Sequence, residues 1–401
     1  MTRTVLAGGR VFDGTGSAIA DADVAFDGGV IVGVGTGLDG DEQVDVGGMT
    51  VLPGFFDCHV HVMVSGIDLA RRLQRPFSYQ FYEAAANLAA TLDCGITTVR
   101  DAAGADLGVQ RAVQDGLVDG PRMQISVSAL SQTGGHGDGW LPSGVATPLM
   151  APHPGRPPGL VDGPEEMRKR VREIIRAGAD VIKVHTSGGV LSPRDHPKHA
   201  QFRPDELAAL MAEATAAGLP VMAHAQAADG IKNAVRAGVR SIEHGIYLDD
   251  EAIDLMLRTG TWLVPTLAAP HAVLNAASSG RHLHDGVAEK AQQVVAAHAA
   301  AFARAVDAGV RIAMGTDSGV GPHGSNLDEL PLMAAGGMTP AQVLAATTMS
   351  SAELLGLGDE AGSIMPGKRA DLVVLAGDPF DLAGLKAGIR AVYQAGRKVR
   401  G

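Results

Sequence analysis

The sequence predicts an α/β fold: a (β/α)8 TIM barrel with a small β-sandwich domain made from both chain ends. Three observations lead there. Apolar runs of strand length alternate with Ala-rich helical stretches through the middle of the chain, short β-type segments punctuated by Gly and Asp occupy both ends, and metal-binding side-chain types recur where the central runs stop. The implied boundaries are residues 1–52 and 362–401 for a composite small β domain and 53–361 for the barrel.

From Thr4 to Val51 the segments TVLAGG, RVFDG, DVAFDGG, VIVGVG and VDVGG read as strands of a small antiparallel sheet, and nothing there signals a helix. Beyond Pro53, eight strand candidates follow in order: VLPGFFDCH, GITTVRD, RMQISVSAL, ADVIKVHT, PVMAHA, SIEHG, TWLVPTL and RIAMGTD. Eight is the number that closes a parallel barrel. Between them, 164–178 and 204–218 open with Pro and acids and close at Gly, which marks helix starts and stops. The stretch 152–164, PHPGRPPGLVDGP, reads as an ordered surface loop or lid, and after Ala361 the β pattern returns in GSIMPGKRADLVVLAG and IRAVYQAGRKV.

Composition narrows the function. Apolar residues are 46% and charged residues 19% of 401, enough for a sizeable core. A net charge of −11 leaves no basic face to neutralise phosphates, so the expected partner is a small-molecule substrate and no nucleic acid. Cys58 and Cys94 give no disulfide framework, which fits a cytoplasmic location. No secretory signal is read at the start, and no apolar run of about 18 residues predicts membrane insertion.

Active sites of such barrels lie at the C-terminal ends of the strands. His59 and His61 end the first run, and their i, i+2 spacing points both imidazoles to one side, where they can grip one ion. Lys183 ends the fourth run, His224 the fifth, His244 the sixth and Asp317 the eighth. A lone His at a strand end is usually structural; six metal-binding side chains at five of the eight strand ends change the odds. Lys183 stands apart, because an ammonium in the apolar run ADVIKV is costly and burial leaves a neutral amine able to react with carbon dioxide.

The segments LPGFFDCHVHV, VIKVHTSGG, VMAHA, IEHG and GTDSG, in this order and across nearly the whole chain, resemble the amidohydrolase superfamily. The resemblance is to the branch of Xaa-Pro dipeptidases (prolidases) and imidazolonepropionase-like amidohydrolases. It implies that His59, His61 and Asp317 bind a first metal, His224 and His244 a second, and a carboxylated Lys183 bridges them. The implied cofactors are two divalent ions, zinc first among them, and the implied assembly is a homo-oligomer. A hydroxide between the ions would attack the carbonyl of an amide, with Asp317 orienting it, taking its proton and handing that proton to the leaving nitrogen. A dipeptide or N-acyl amino acid is the leading substrate; a cyclic amide, a deaminase substrate, a lactone or a fungal toxin amide of the ochratoxin kind stays open. One-metal relatives lack the strand-four lysine, so Lys183 favours two metals, and the complete ligand set argues against a noncatalytic scaffold.

Substrate choice belongs to the loops. SQTGGHGDG, with His136, resembles a loop of the dipeptidase branch, and TSGGVLSPRDHPKH after Lys183 resembles the same branch; His136 is expected to polarise the substrate carbonyl or bind its carboxylate. Arg194, His196, Tyr247 and His323 are further candidates for the carboxylate. Gln226 stands where prolyl dipeptidases of this branch have a tyrosine that meets the substrate, which counts against a proline preference. His185 shares a strand face with Lys183, Arg100 and Asp101 read as an ion pair supporting the site, and His153, His199, His271, His282, His284 and His298 read as ordinary surface or loop histidines.

Overall fold

The structure is a computed structural model describing residues 2–148, 150–192 and 194–401. Seven strands come first: Thr4–Ala7 (β1), Arg10–Val11 (β2), Ala20–Asp21 (β3), Asp23–Asp27 (β4), Val30–Gly35 (β5), Glu42–Asp45 (β6) and Met49–Pro53 (β7). Val30, Val32 and Val34 are exposed while Ile31 is buried, the alternation of a strand with one face on a core. Asp23 closes the turns beside them by accepting the backbone N–H groups of Gly8, Gly37 and Leu38.

Pro53 and Gly54 lead directly into Phe55–Val60 (β8), the first of the central parallel strands. The others are Ile96–Asp101 (β9), Arg122–Ile125 (β10), Ala129–Leu130 (β11), Ile182–His185 (β12), Val221–Ala225 (β13), Ser241–His244 (β14) and Trp262–Val264 (β15). Helices cover them, so β8, β9, β13, β14 and β15 are buried along their whole length. Burying Phe55, Ile96 and Ile182 completely stabilises by about 1.5–3 kcal/mol each relative to exposure. Ladders join β10-β9-β8 into one arc and β11-β12-β13-β14-β15 into another.

Two expected strands differ in detail. The third run is split into β10 and β11 by Val127, whose φ of +62° is left-handed. The eighth run, with the Ser318 that follows it, meets its neighbours through single parallel bridges, Leu263 with Ile312 on one side and Val60 with Ser318 on the other. Gly315 explains the close fit there, since a Cβ would overlap Val264 and His59. The helices Gly163–Arg176 and Pro204–Ala216 form where Pro and acids open them, and Gly238, Gly260 and Gly309 end three others in left-handed conformation.

The chain end returns as Leu372–Ala376 (β16), Ile389–Gln394 (β17) and Arg397–Arg400 (β18). These join strands from the beginning of the chain in a six-stranded sheet, β18-β17-β16-β7-β2-β3, beside a four-stranded one, β5-β4-β1-β6. Leu6, Val24, Phe26 and Ile31 from one sheet meet Val51, Leu372, Val374 and Tyr393 from the other in one apolar cluster. Among the described residues no helix is long and apolar enough to cross a membrane.

Candidate metal centre and its cavity

β8 carries His59 and His61 to the rim of a cavity of about 450 Å3, and His59, His61, Lys183, His224, His244 and Asp317 all line it. His59 Nδ1–H donates to Glu243 Oε2 at 2.7 Å, and His61 Nδ1–H donates to the Ala103 carbonyl at 2.9 Å. Those bonds leave each Nε2 as a lone pair when the ring is neutral. Both point at Asp317 Oδ1, from 3.6 and 3.2 Å.

Three acceptors therefore converge with no donor between them, an arrangement that requires a cation. Burial alone would suppress protonation of His61, yet Asp317 beside it raises its pKa. A proton or an ion must hold the three together. His59, His244 and Asp317 offer ligand atoms within 4.8 Å of one another, compatible with a single metal ion.

Four of the histidines in this region are packed as neutral rings. Burial, and then the neighbouring cationic groups, hold His59, His185, His224 and His244 well below the ordinary histidine pKa. His224 Nε2–H donates to the Gly188 carbonyl at 3.1 Å, which leaves its Nδ1 free, and His244 Nδ1 meets Thr266 Oγ1 at 2.6 Å. The rings of His224 and His244 lie 4.6 Å apart, and those of His59 and His244 5.1 Å apart. Lys183 is 2% exposed, and its Nζ has no hydrogen-bond partner among the described residues. Burial pulls its pKa down to about 8, with Glu243 and Asp317 opposing.

The site is supported from below by groups that the strand-end pattern does not single out. Glu243, fully buried, takes Arg100 Nη2 at 2.9 Å and Ser241 Oγ on Oε1 while holding His59 on Oε2. Asp57 accepts the His59 N–H, the Thr316 N–H and hydroxyl, and Asn326 Nδ2–H, tying β8 to the run that carries Asp317. His244, Thr266 and Asp317 all have left-handed backbones, with φ of +74°, +54° and +58°. Strain concentrated at three adjoining positions marks a site held by its surroundings.

Two expectations are corrected. Arg100 and Asp101 do not pair: adjacent strand residues face opposite ways, so Arg100 reaches Glu243 and the Cys58 carbonyl while Asp101 accepts the N–H groups of Val62, Ala103 and Ala105. His298 is no surface residue. It is buried and donates Nε2–H to the His244 carbonyl at 2.9 Å, bracing that strained turn.

Of the substrate-binding candidates, the structure brings two to the cavity. His136 stacks on His224 with centroids 4.2 Å apart, and its Nδ1 is held by Ser192 Oγ at 2.9 Å, with Asp195 Oδ2 at 3.5 Å behind it. Gly189 packs so closely on this ring that a Cβ would collide with it. Gln226 lines the cavity with its buried Oε1 unpartnered among the described residues. The remaining candidates lie outside the lining. Arg194 is exposed with its guanidinium 5.8 Å from the Trp140 ring centroid, and Tyr247 lies under Lys198 at 5.0 Å. His196 is exposed beside His199, and His323 clamps the carbonyls of His61 and Val64 at 3.2 and 3.1 Å. The 152–164 stretch contributes Pro152, Arg156 and Leu160 to the cavity wall, and His284 also lines it.

Comparison with known proteins agrees with this geometry. The chain is 34% identical to the ochratoxinase of Aspergillus niger over 404 residues, covering 94% of this chain and 82% of that protein. Its fold superposes on a Xaa-Pro dipeptidase with methionine bound in the active site, with a TM-score of 0.91 and 32% identity, each chain being covered to 100%. A prolidase complexed with N-methylphosphonate-L-proline matches at TM-score 0.91 and 36% identity, again over 100% of both chains. The sequence profile of the amidohydrolase family matches residues 50–398, which include every strand-end histidine, Lys183 and Asp317. Shared sequence, shared architecture and a converging set of metal-type side chains lead to one assignment: the chain is a hydrolase belonging to the amidohydrolase family.

Proposed function

We propose that this enzyme is a two-metal amidohydrolase that cleaves the amide bond of a dipeptide or N-acyl amino acid. The observation that carries the reading is the buried Nζ of Lys183, unpartnered among the described residues, beside His59, His61, His224, His244 and Asp317, with its pKa pulled down to about 8. A neutral amine so placed is fit for carboxylation, and the resulting anion would let His59, His61 and Asp317 hold one ion and His224 and His244 the other. Bound divalent ions, zinc by ligand preference, would acidify a water and polarise the scissile carbonyl.

The chain's own groups supply the rest. Asp317 Oδ1, aimed into the site, takes the proton of the attacking water and returns it to the leaving nitrogen. His136, fixed through Nδ1 to Ser192 and backed by Asp195, turns its other ring nitrogen as an N–H donor to the substrate carbonyl. Gln226 offers its unpaired Oε1 to a substrate N–H. The apolar walls exclude water around the bond being broken.

In this proposal the two arcs of parallel strands make one (β/α)8 barrel, and residues 1–52 with 362–401 make the composite β-sandwich domain. The working enzyme is a cytoplasmic homo-oligomer acting on a small molecule, in line with two buried free cysteines. A second substrate reading, a bulky N-acyl amino acid of the toxin-amide kind, is favoured by Gln226 and by the similarity to ochratoxinase. The test is metal content per chain after purification with zinc and bicarbonate, assayed against Xaa-Pro, Xaa-Arg and N-acyl amino acid panels. Two metals with cleavage of one panel is the expected result. One metal and no cleavage would overturn the reading in favour of deamination or ring opening.

A further inference from the structure

The short helix Leu69–Gln74 sits at the cavity with three arginines on or just beyond it. Arg71 and Arg75, four residues apart and so on one face, both pair with Glu83. Arg72 is turned about a quarter of the helix away and lines the cavity instead. Its one polar contact among the described residues is a long one, Nη2 to the Thr147 carbonyl at 3.4 Å, and no carboxylate among them lies within ion-pair distance. Burial depresses its pKa without an acid to counter it.

Of the other charged groups in the lining, Lys183 sits among the metal-type side chains and the rest are committed to partners. Arg156 gives both terminal nitrogens to the carbonyls of Gly104 and Ala151. Asp138 spends its two oxygens on the N–H groups of Gly134 and Trp140, and Asp317 belongs to the metal cluster. Arg72 is thus a guanidinium with donors to spare inside an apolar enclosure that includes Ile67, Leu69, Val273, Leu283 and Val287. Such a group needs an anion, and a fork of N–H donors matches a carboxylate.

We propose that Arg72 is the specificity-determining residue that binds the free α-carboxylate of the substrate, whose apolar side chain lies along the neighbouring walls. This rests on the amide-hydrolase reading and deepens it. The substrate class becomes an amide of an amino acid with an apolar side chain and an unblocked carboxyl end, while His136, stacked on the His224 ring, is left for the carbonyl.

The test uses metal-loaded enzyme, wild type, Arg72→Gln and Arg72→Lys, with N-benzoyl-L-leucine and N-benzoyl-L-leucinamide as a matched pair. Both kcat/KM and calorimetric binding of each compound are measured. Wild type should favour the acid, and Arg72→Gln should reduce that acid-to-amide preference about 10- to 100-fold, the range for one charge-assisted contact. Arg72→Lys should restore part of it. An unchanged preference in Arg72→Gln, or a wild type that binds neither compound or shows no preference, overturns the proposal. Preferential binding of the acid that depends on Arg72, without turnover of either compound, would sustain the proposal while refuting amide hydrolysis.

Discussion

Replacing Glu243 with glutamine keeps the shape of the side chain, removes its charge and leaves its partners one acceptor short. Three donors face the two carboxylate oxygens: His59 Nδ1 on Oε2, and Arg100 with Ser241 on Oε1. An amide has one oxygen. If that oxygen stays with Arg100, the NH2 faces His59, which must switch its proton to Nε2 and can no longer offer that nitrogen to an ion. If the oxygen turns to His59, the NH2 meets a buried guanidinium. Loss of an orienting carboxylate behind a ligating His lowers metal affinity by about 10- to 100-fold. Removing the carboxylate that pairs with Arg100 costs about 3–5 kcal/mol. That is a large share of the roughly 5–15 kcal/mol typical of a folded domain. The assay is a competitive chelator titration of Glu243→Gln and wild type, with urea unfolding of both metal-free proteins. Ser241→Ala, which removes one hydroxyl, should change both far less. Wild-type metal affinity in Glu243→Gln would refute the tautomer argument, and an unchanged urea midpoint would refute the role assigned to the buried ion pair.

Asp317→Asn should still bind metal yet lose turnover by about 10²- to 10⁴-fold, the share usually carried by a general base; steady-state rates with parallel metal analysis decide, and full activity would dismiss the proton-carrying role. Lys183→Ala should drop metal content below two per chain by elemental analysis, and two tightly held ions in that variant would rule out a bridging carbamate. Reconstitution of metal-free enzyme at fixed dissolved carbon dioxide should accelerate roughly tenfold per pH unit up to about 8 and then level off, because only the neutral amine of Lys183 reacts. A reconstitution rate that does not change with pH would count against a lysine of lowered basicity. Stability of the metal-free protein should rise with pH for the same reason. Between about 8 and the ordinary lysine value of 10.5 the fold binds fewer protons than the unfolded chain, so the penalty for burying Lys183 is full below that window and relieved as pH rises through it. Urea midpoints measured across the window, with Lys183→Met as the reference, would show that rise.

What could be read from the sequence is what strand geometry alone determines. His59 and His61 face one way because they are two apart on a strand, and Lys183, His224 and His244 reach the same cavity because parallel strands end on one rim. The same rule denied the pairing of Arg100 with Asp101, and applying it to neighbours as well as to i, i+2 positions would have avoided that expectation. Glu243 carried a visible signal: an acid inside the buried run SIEHG poses the problem that Lys183 poses in its own run. Loop residues gave no such handle. Arg194 and His323 look as suited to bind a substrate as Arg72 until the turns are drawn, and only then does one face solvent, another clamp backbone carbonyls and the third enter the cavity. The breaks at Val127 and Asp317 were hidden for a related reason, since left-handed backbone at non-glycine residues is imposed by surroundings that local sequence does not encode.

The direct passage of β7 into β8 sets a schedule for biosynthesis. Leu52 pairs with Val373, so the strand holding His59 and His61 is moored to residues the ribosome adds about three hundred positions later. Contacts of such sequence separation form slowly and late. A nascent chain that has emerged through Asp317 still lacks the strand that anchors β7 and β8, so capture of an ion by His59 and His61 would follow the synthesis of β16. Truncations that remove β16 would accordingly be felt first at β8, as incomplete metal loading.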